Sequence, residues 1–287
     1  MTIIIQKDQS VLDEMIVSKG ELVARTSVVN VDGARVAYRL QGQGPAVVLV
    51  NGTAALDVHW GPVIAELGKQ RTVISLDYSG SGDTTDDGSP LCLQKLARQV
   101  REVVAAAGAD RFDLVGHSLG AAIAIELAAT SPDLVRSLIV VAGFSWGAEP
   151  RLKLQFKLWL DLLRTNRDAF LRLLLLSGLT PTFVSMLGTS AIEDMIKAYM
   201  PLANWEGIAR QIELDLAVDI RRQAGSVTSP TLVINCAHDQ IVTQTSELAA
   251  RIPGSTYQQI RAGHLAYFEG AEEFLSLAAE FLRRHGA

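Results

Sequence analysis

Five residues, Gly116-His117-Ser118-Leu119-Gly120, stand between an apolar run at 111–115 and a stretch of small residues, Ala121-Ala122-Ile123-Ala124. That order predicts a strand, a serine and a helix. The glycines on either side allow a sharp turn between the two elements, so that Ser118 projects from the carboxyl edge of a sheet. The helix aims its amino end at the same spot. A serine so placed is a candidate nucleophile for covalent catalysis.

A serine hydroxyl is a poor nucleophile at neutral pH unless a histidine takes its proton, and the histidine needs a carboxylate to fix its tautomer. Both follow downstream. Residues 231–235 read as a buried strand after Pro230, and the loop beyond carries His238-Asp239; Asp239 is the candidate acid. After a short strand at 256–260, Ala262-Gly263-His264-Leu265 precede a last amphipathic helix, and His264 is the candidate base. Taken singly, Asp239 reads equally well as the cap of a helix beginning near Thr243, and His264 as a partly buried loop histidine. In the order Ser118, Asp239, His264, each just past a predicted strand, they match two loops converging on a nucleophile above one parallel sheet. His117 and His238 are expected to pack or face solvent and His285 to lie in a frayed tail, while His59 is unassigned. The oxyanion formed on an attacked carbonyl needs two backbone N–H donors in place beforehand. Leu119 supplies one; the loop after a strand at 46–50, Asn51-Gly52-Thr53, supplies the other through Thr53, unless it is an ordinary Asn-Gly turn.

Around these residues strands and helices alternate. A hairpin is expected at 26–31 and 35–40, turning at Asp32-Gly33, then a strand at 46–50, a helix at 62–67 and a strand at 72–76. A helix from Leu93 places Leu93, Leu96, Val100, Val103, Val104 and Ala107 on one face, as a helix covering a sheet requires. With a further strand at 137–142, the alternation predicts an α/β protein whose mostly parallel, doubly wound sheet is covered on both sides. The rhythm breaks at 144–222, a helical insertion without strands that carries Phe156, Trp159, Phe170, Phe183, Tyr199 and Trp205. The expected division is an N-terminal extension at 1–25, a core at 26–143, a helical cap at 144–222 and the rest of the core at 223–287.

With 48% hydrophobic residues in 287, the chain can bury one large core, and no second independent domain is expected. A net charge of −5 with interleaved signs argues against nucleic acid or an anionic membrane as partner. A small molecule with a hydrophobic body is expected instead, because an apolar roof over a serine binds mainly by apolar burial. Cys92 and Cys236 are too few and too distant for a disulfide framework, and no His/Cys cluster has metal-ligand spacing. Ile3-Ile4-Ile5 is followed by Lys7 and Asp8, unlike a secretory signal, and no apolar run reaches about eighteen residues. These features predict a cytoplasmic protein that works without metal or cofactor.

From about Thr26 to its end the chain resembles the α/β-hydrolase superfamily. Asp77-Tyr78-Ser79-Gly80-Ser81-Gly82-Asp83-Thr84 is similar to the family's D-x-x-G-x-G-x-S turn, with Thr84 in the serine position and Asp77 in a structural role. Two positions depart from the pattern: Asn51 stands where the family usually has histidine, and Cys236 where it has glycine three places before the acid. Neither moves a proton, so both bear on substrate choice. The stretch Asn51 to Trp60, with the segments around Asp239 and His264, resembles 3-oxoadipate enol-lactonases and related small esterases. Serine at 118 argues against the aspartate-nucleophile dehalogenases and epoxide hydrolases. The resemblance implies an α/β-hydrolase fold with an inserted helical cap, and a serine hydrolase of an ester, lactone or thioester. C–C bond hydrolases, cofactor-free haloperoxidases, biosynthetic cyclases and a ligand-binding receptor with slight turnover are compatible with the same triad.

Overall fold

The turn at Asp32-Gly33 joins two antiparallel strands, β1 (Ser27–Val31) and β2 (Ala34–Gln41), with Val31 opposite Ala34. Both turn residues lie at positive φ, 49° and 81°, the handedness that suits the twist of paired strands. The computed structural model describes residues 26–55 and 57–285; the extension expected at 1–25 lies outside the described residues.

Six further strands complete one sheet: β3 (Ala46–Val50), β4 (Thr72–Asp77), β5 (Phe112–His117), β6 (Val135–Val141), β7 (Thr231–Cys236) and β8 (Thr256–Ile260). Their order is β1-β2-β4-β3-β5-β6-β7-β8. β2 meets β4 antiparallel, and every pairing from β4 to β8 is parallel. The central strand β5 runs two residues further than the sequence pattern indicates. Gly116 pairs with Val50 on one side and Val140 on the other, which holds the backbone in the ladder up to the serine.

Alternate side chains of the central strands feed two separate cores. Val48, Val50, Leu114, Leu138 and Val140 point to one face, and Val47, Leu49, Val115, Ile139 and Val141 to the other. Each such side chain contributes about 1.5–3 kcal/mol by leaving water. On the second face lie α1 (Gly61–Leu67), through Val63 and Leu67, and the last helix. On the first lie α2 (Leu93–Ala106) and α3 (Leu119–Thr130). α2 is amphipathic as expected and buries Leu93, Leu96, Val100, Val103 and Val104. α3 is buried on all sides, which its alanines permit by letting neighbours approach closely.

Between β6 and β7 come α4 (Pro150–Thr165), α5 (Arg167–Gly178), α6 (Pro181–Tyr199), α7 (Trp205–Ala217) and α8 (Arg221–Ala224). Local chemistry starts four of them. The side chains of Glu149, Asn166, Thr180 and Asn204 accept from the amides of Leu152, Ala169, Phe183 and Gly207, and Pro150 and Pro181 occupy first helical positions. Beyond β7 come α9 (Thr245–Arg251), the short α10 (Ala266–Glu269) and α11 (Ala271–His285), which presents Phe274, Ala278, Phe281 and Leu282 to the core. His285 therefore belongs to a helix, its ring 4.8 Å from Phe281, and not to a frayed tail. Among the described residues no helix is long and apolar enough to cross a membrane.

Candidate active site

Because β3, β5, β7 and β8 are parallel, the loops leaving their carboxyl ends gather at one edge of the sheet, where open α/β sheets place their ligands. The loop after β3 carries Thr53, β5 ends next to Ser118, and the loops after β7 and β8 carry Asp239 and His264.

Ser118 itself has φ 54° and ψ −118°, a conformation that costs on the order of 1–3 kcal/mol and persists where the surroundings enforce it. Its amide donates to the Val141 carbonyl at 3.0 Å, and its carbonyl accepts from Ala121 at 2.9 Å as α3 begins. The flanking glycines serve a different purpose from the turn flexibility that sequence suggests: neither has positive φ. They are required by close approach. A Cβ on Gly116 would stand 2.3 Å from the Gly120 carbonyl, and one on Gly120 would stand 2.2 Å from the Val50 carbonyl. The elbow is thereby pressed against the end of β3. A Cβ on Gly52 would meet the Ser118 Cβ at 3.0 Å, so the Thr53 loop lies directly over the serine.

The three residues picked out in sequence come together. His264 Nε2 lies 3.0 Å from Ser118 Oγ, and His264 Nδ1 lies 2.7 Å from Asp239 Oδ2. All three are buried. A neutral imidazole that donates from Nδ1 to the carboxylate keeps Nε2 free to accept from the serine hydroxyl. The other oxygen, Asp239 Oδ1, accepts from the amides of Ile241 and Val242 at 2.8 Å each. Asp239 does not cap the next helix, which begins at Thr245 after Gln244; one of its oxygens closes its own loop while the other faces the histidine.

His117 does more than pack. Its Nε2 donates to the His264 carbonyl at 2.8 Å, tying the end of β5 to the histidine loop; its place beside Ser118 carried no sign of this. His238 is exposed as expected. His59 is half-buried, its ring 6.3 Å from Tyr199 and 6.4 Å from Tyr267. Burial lowers His59 to about 4 and holds His117 well below the usual imidazole value. The unfolded chain binds protons at these rings near pH 6.5 whereas the native one does not, so acid favours unfolding. The melting temperature should accordingly fall as pH drops from about 6.5 towards 4. A His117→Gln variant should show a shallower fall over that window; an equal slope in both proteins would contradict neutral burial of His117.

The helical insertion grips the loops that carry His264 and Thr53. At the α5–α6 junction, the Gly178 carbonyl accepts from the Leu265 amide at 2.9 Å. Glu269 accepts from the Thr180 amide and hydroxyl at 3.0 Å each and from the Gly263 amide. On the other side, the Thr53 hydroxyl donates to Asp215 Oδ2 of α7 at 2.6 Å. Asp215 is buried, its Oδ1 has no partner among the described residues, and burial raises its carboxyl to about 7 against the lowering effect of the Thr53 bond. Asp77 holds its own turn, accepting from the Asp83 amide at 3.1 Å and pairing with Arg39 at 3.2 Å. Cys236 is buried, and burial pushes its thiol up, away from the reactive thiolate.

Comparison with known proteins places this arrangement in context. The family described as alpha/beta hydrolase fold matches residues 45–271. A pyrrolizixenacetamide deacetylase from Xenorhabdus hominickii is 43% identical over 257 residues, covering 88% of this chain and 97% of that protein. A putative carbamate hydrolase, RutD, from Azorhizobium caulinodans is 27% identical, covering 80% and 88%. Among solved structures, the enol-lactonase from Burkholderia xenovorans LB400 has a TM-score of 0.81 at 24% identity, over 90% of this chain and 100% of that one.

Proposed function

The chain belongs to the α/β-hydrolase family and is a hydrolase, and we propose that it is a serine enzyme that removes a small acyl group from an amide or ester of a hydrophobic molecule. The observation that carries this reading is the continuous hydrogen-bonded chain Ser118–His264–Asp239. The bond expected from sequence was an ester, lactone or thioester. A relative named a deacetylase of an acetamide, alike over nearly its whole length, adds the amide to that range.

In this reading Ser118 Oγ attacks the acyl carbonyl as its proton passes to His264 Nε2, and Asp239 stabilises the imidazolium. The amides of Thr53 and Leu119 hold the oxyanion. His264 then gives its proton to the departing nitrogen or oxygen as the C–N or C–O bond breaks, which an amide requires because an unprotonated amine leaves poorly. Water attacks the acyl-serine with His264 as base, releasing the acid and restoring Ser118. No cofactor enters this sequence. Residues 144–222 act as a cap over the core at 26–143 and 223–287, and their apolar side chains receive the body of the substrate.

A panel of N-acetyl amides, O-acetyl esters, thioesters and lactones built on matched apolar bodies tests the reading. The kcat/KM should be highest for acetyl compounds, amides included, and should fall as the acyl chain lengthens. Turnover of lactones with acetyl compounds untouched would replace it with the lactonase reading. No turnover at all would favour a receptor.

A further inference from the structure

The turn that carries Thr53 is strained, and the helical insertion holds it. The Ala55 amide donates to the Gly52 carbonyl at 3.3 Å, closing a tight turn whose third residue, Ala54, has φ 58°. Glycine is favoured at such a position because a Cβ is crowded there. Strained backbone persists only where neighbours over-determine it, and both polar groups of Ala54 are taken by the insertion. Gln211 Oε1 of α7 accepts from the Ala54 amide at 2.9 Å, and the Tyr199 hydroxyl at the end of α6 donates to the Ala54 carbonyl at 2.5 Å.

Neither group is loosely held. Gln211 is buried, and its Nε2 donates to the Gly80 carbonyl at 3.0 Å and to Ser81 Oγ at 2.8 Å, so its amide has one usable orientation. α7 lies so close to that turn that a Cβ on Gly207 would stand 2.2 Å from the Gly80 carbonyl. The Tyr199 ring is packed edge-on to Trp205, with centroids 6.2 Å apart.

We infer that Tyr199 and Gln211 are positioning residues for the reaction: they keep Ala54 left-handed and so aim the Thr53 amide at the oxyanion. The inference rests on the oxyanion reading of Thr53 given above. If either hold is lost, Ala54 relaxes toward negative φ, the Thr53–Ala54 peptide turns, and the tight turn from Gly52 to Ala55 opens, so that the adjoining Gly52–Thr53 peptide, whose N–H is the donor, shifts off its aim. The substrate still binds, but the charge developing in the transition state loses a donor, and it is kcat that falls.

Full-length Tyr199→Phe and Gln211→Ala test this, each alone and combined with Ala54→Gly. Loss of one oxyanion donor lowers kcat about 10²- to 10³-fold, and a misaimed donor should cost about tenfold or more with KM changed less than about threefold. Affinity for trifluoroacetone, whose hydroxyl-adduct oxyanion occupies the same place, should fall by the same factor as kcat. Glycine tolerates φ near 58° without support, so in the Ala54→Gly background each loss should shrink to about threefold or less. Unchanged kcat and ketone affinity in both single variants would overturn the inference. So would losses equally large in the Ala54→Gly background, since these would report general packing. Ser118→Ala separates the two levels: if it abolishes turnover while Tyr199→Phe and Gln211→Ala match the unaltered protein, the positioning role falls and the hydrolase reading stands. If Ser118→Ala stays active, both fall.

Discussion

Ser118→Ala should lower kcat by about 10⁶-fold while the protein keeps its fold. The serine's conformation is enforced through its backbone, by the amide bond to Val141 and the carbonyl bond from Ala121, and alanine retains both. What disappears is the hydroxyl 3.0 Å from His264 Nε2. That leaves a buried acceptor unpaired, at about 1–3 kcal/mol, too little to unfold a typical domain. Thermal unfolding should therefore move by only a few degrees. The same substitution should remove covalent labelling by a fluorophosphonate, which in the unaltered protein should modify Ser118 alone. Such reagents need a serine whose proton is taken by a neighbouring base, so labelling reports the activated hydroxyl independently of any substrate. Turnover within tenfold of the unaltered protein, or labelling of a folded Ser118→Ala protein, would remove the assignment.

The parts of the site that sequence exposed are those in which local order and chemistry coincide. A serine between strand and helix has one place to project, and two later loops beyond strands of a parallel sheet must emerge at the same edge. Ser118, Asp239 and His264 were thus legible without any knowledge of packing. For Thr53 and Leu119 position alone was legible, in the loop after β3 and directly after Ser118; their part in holding an oxyanion is a proposal. The two-faced sheet followed from the alternation of elements, and its cores from side chains alternating within strands.

What sequence concealed are contacts made by types of residue that usually do something else. Tyr199 and Gln211 meet Ala54 across 145 and 157 residues, and helical periodicity says which face is buried but not which backbone atom it meets. Asp215 reads as an ordinary helix carboxylate until Thr53 is seen beside it. His117 adjoins Ser118, yet its ring bonds to the carbonyl of a residue 147 positions away. The glycines on either side of Ser118 stand out in sequence for turning ability, which neither uses; the collision of a Cβ with the Val50 or Gly120 carbonyl that requires them exists only once strands are side by side.

Asp239→Asn should lower kcat by about 10⁴-fold with the fold intact, through the tautomer of His264. The two amides on Asp239 Oδ1, from Ile241 and Val242, decide how an asparagine would sit. They are donors, so the carboxamide oxygen must face them and its NH₂ must turn toward His264 Nδ1. An NH₂ cannot accept from the ring; it forces Nδ1 to be the acceptor and moves the imidazole proton to Nε2. There it faces Ser118 Oγ, and the ring can no longer take the serine's proton. The opposite orientation would set the NH₂ against two backbone N–H groups, so the wrong tautomer is imposed by the loop itself. Because both loop bonds survive, the melting temperature should change little while kcat and the rate of fluorophosphonate labelling fall together. A loss below tenfold would point to another acid, but the carboxylate nearest after β6 in sequence, Glu149, is engaged in capping α4 through the Leu152 amide at 2.9 Å. The pairing of a stable fold with an inactive serine is therefore the outcome that distinguishes orientation of the base from support of the structure.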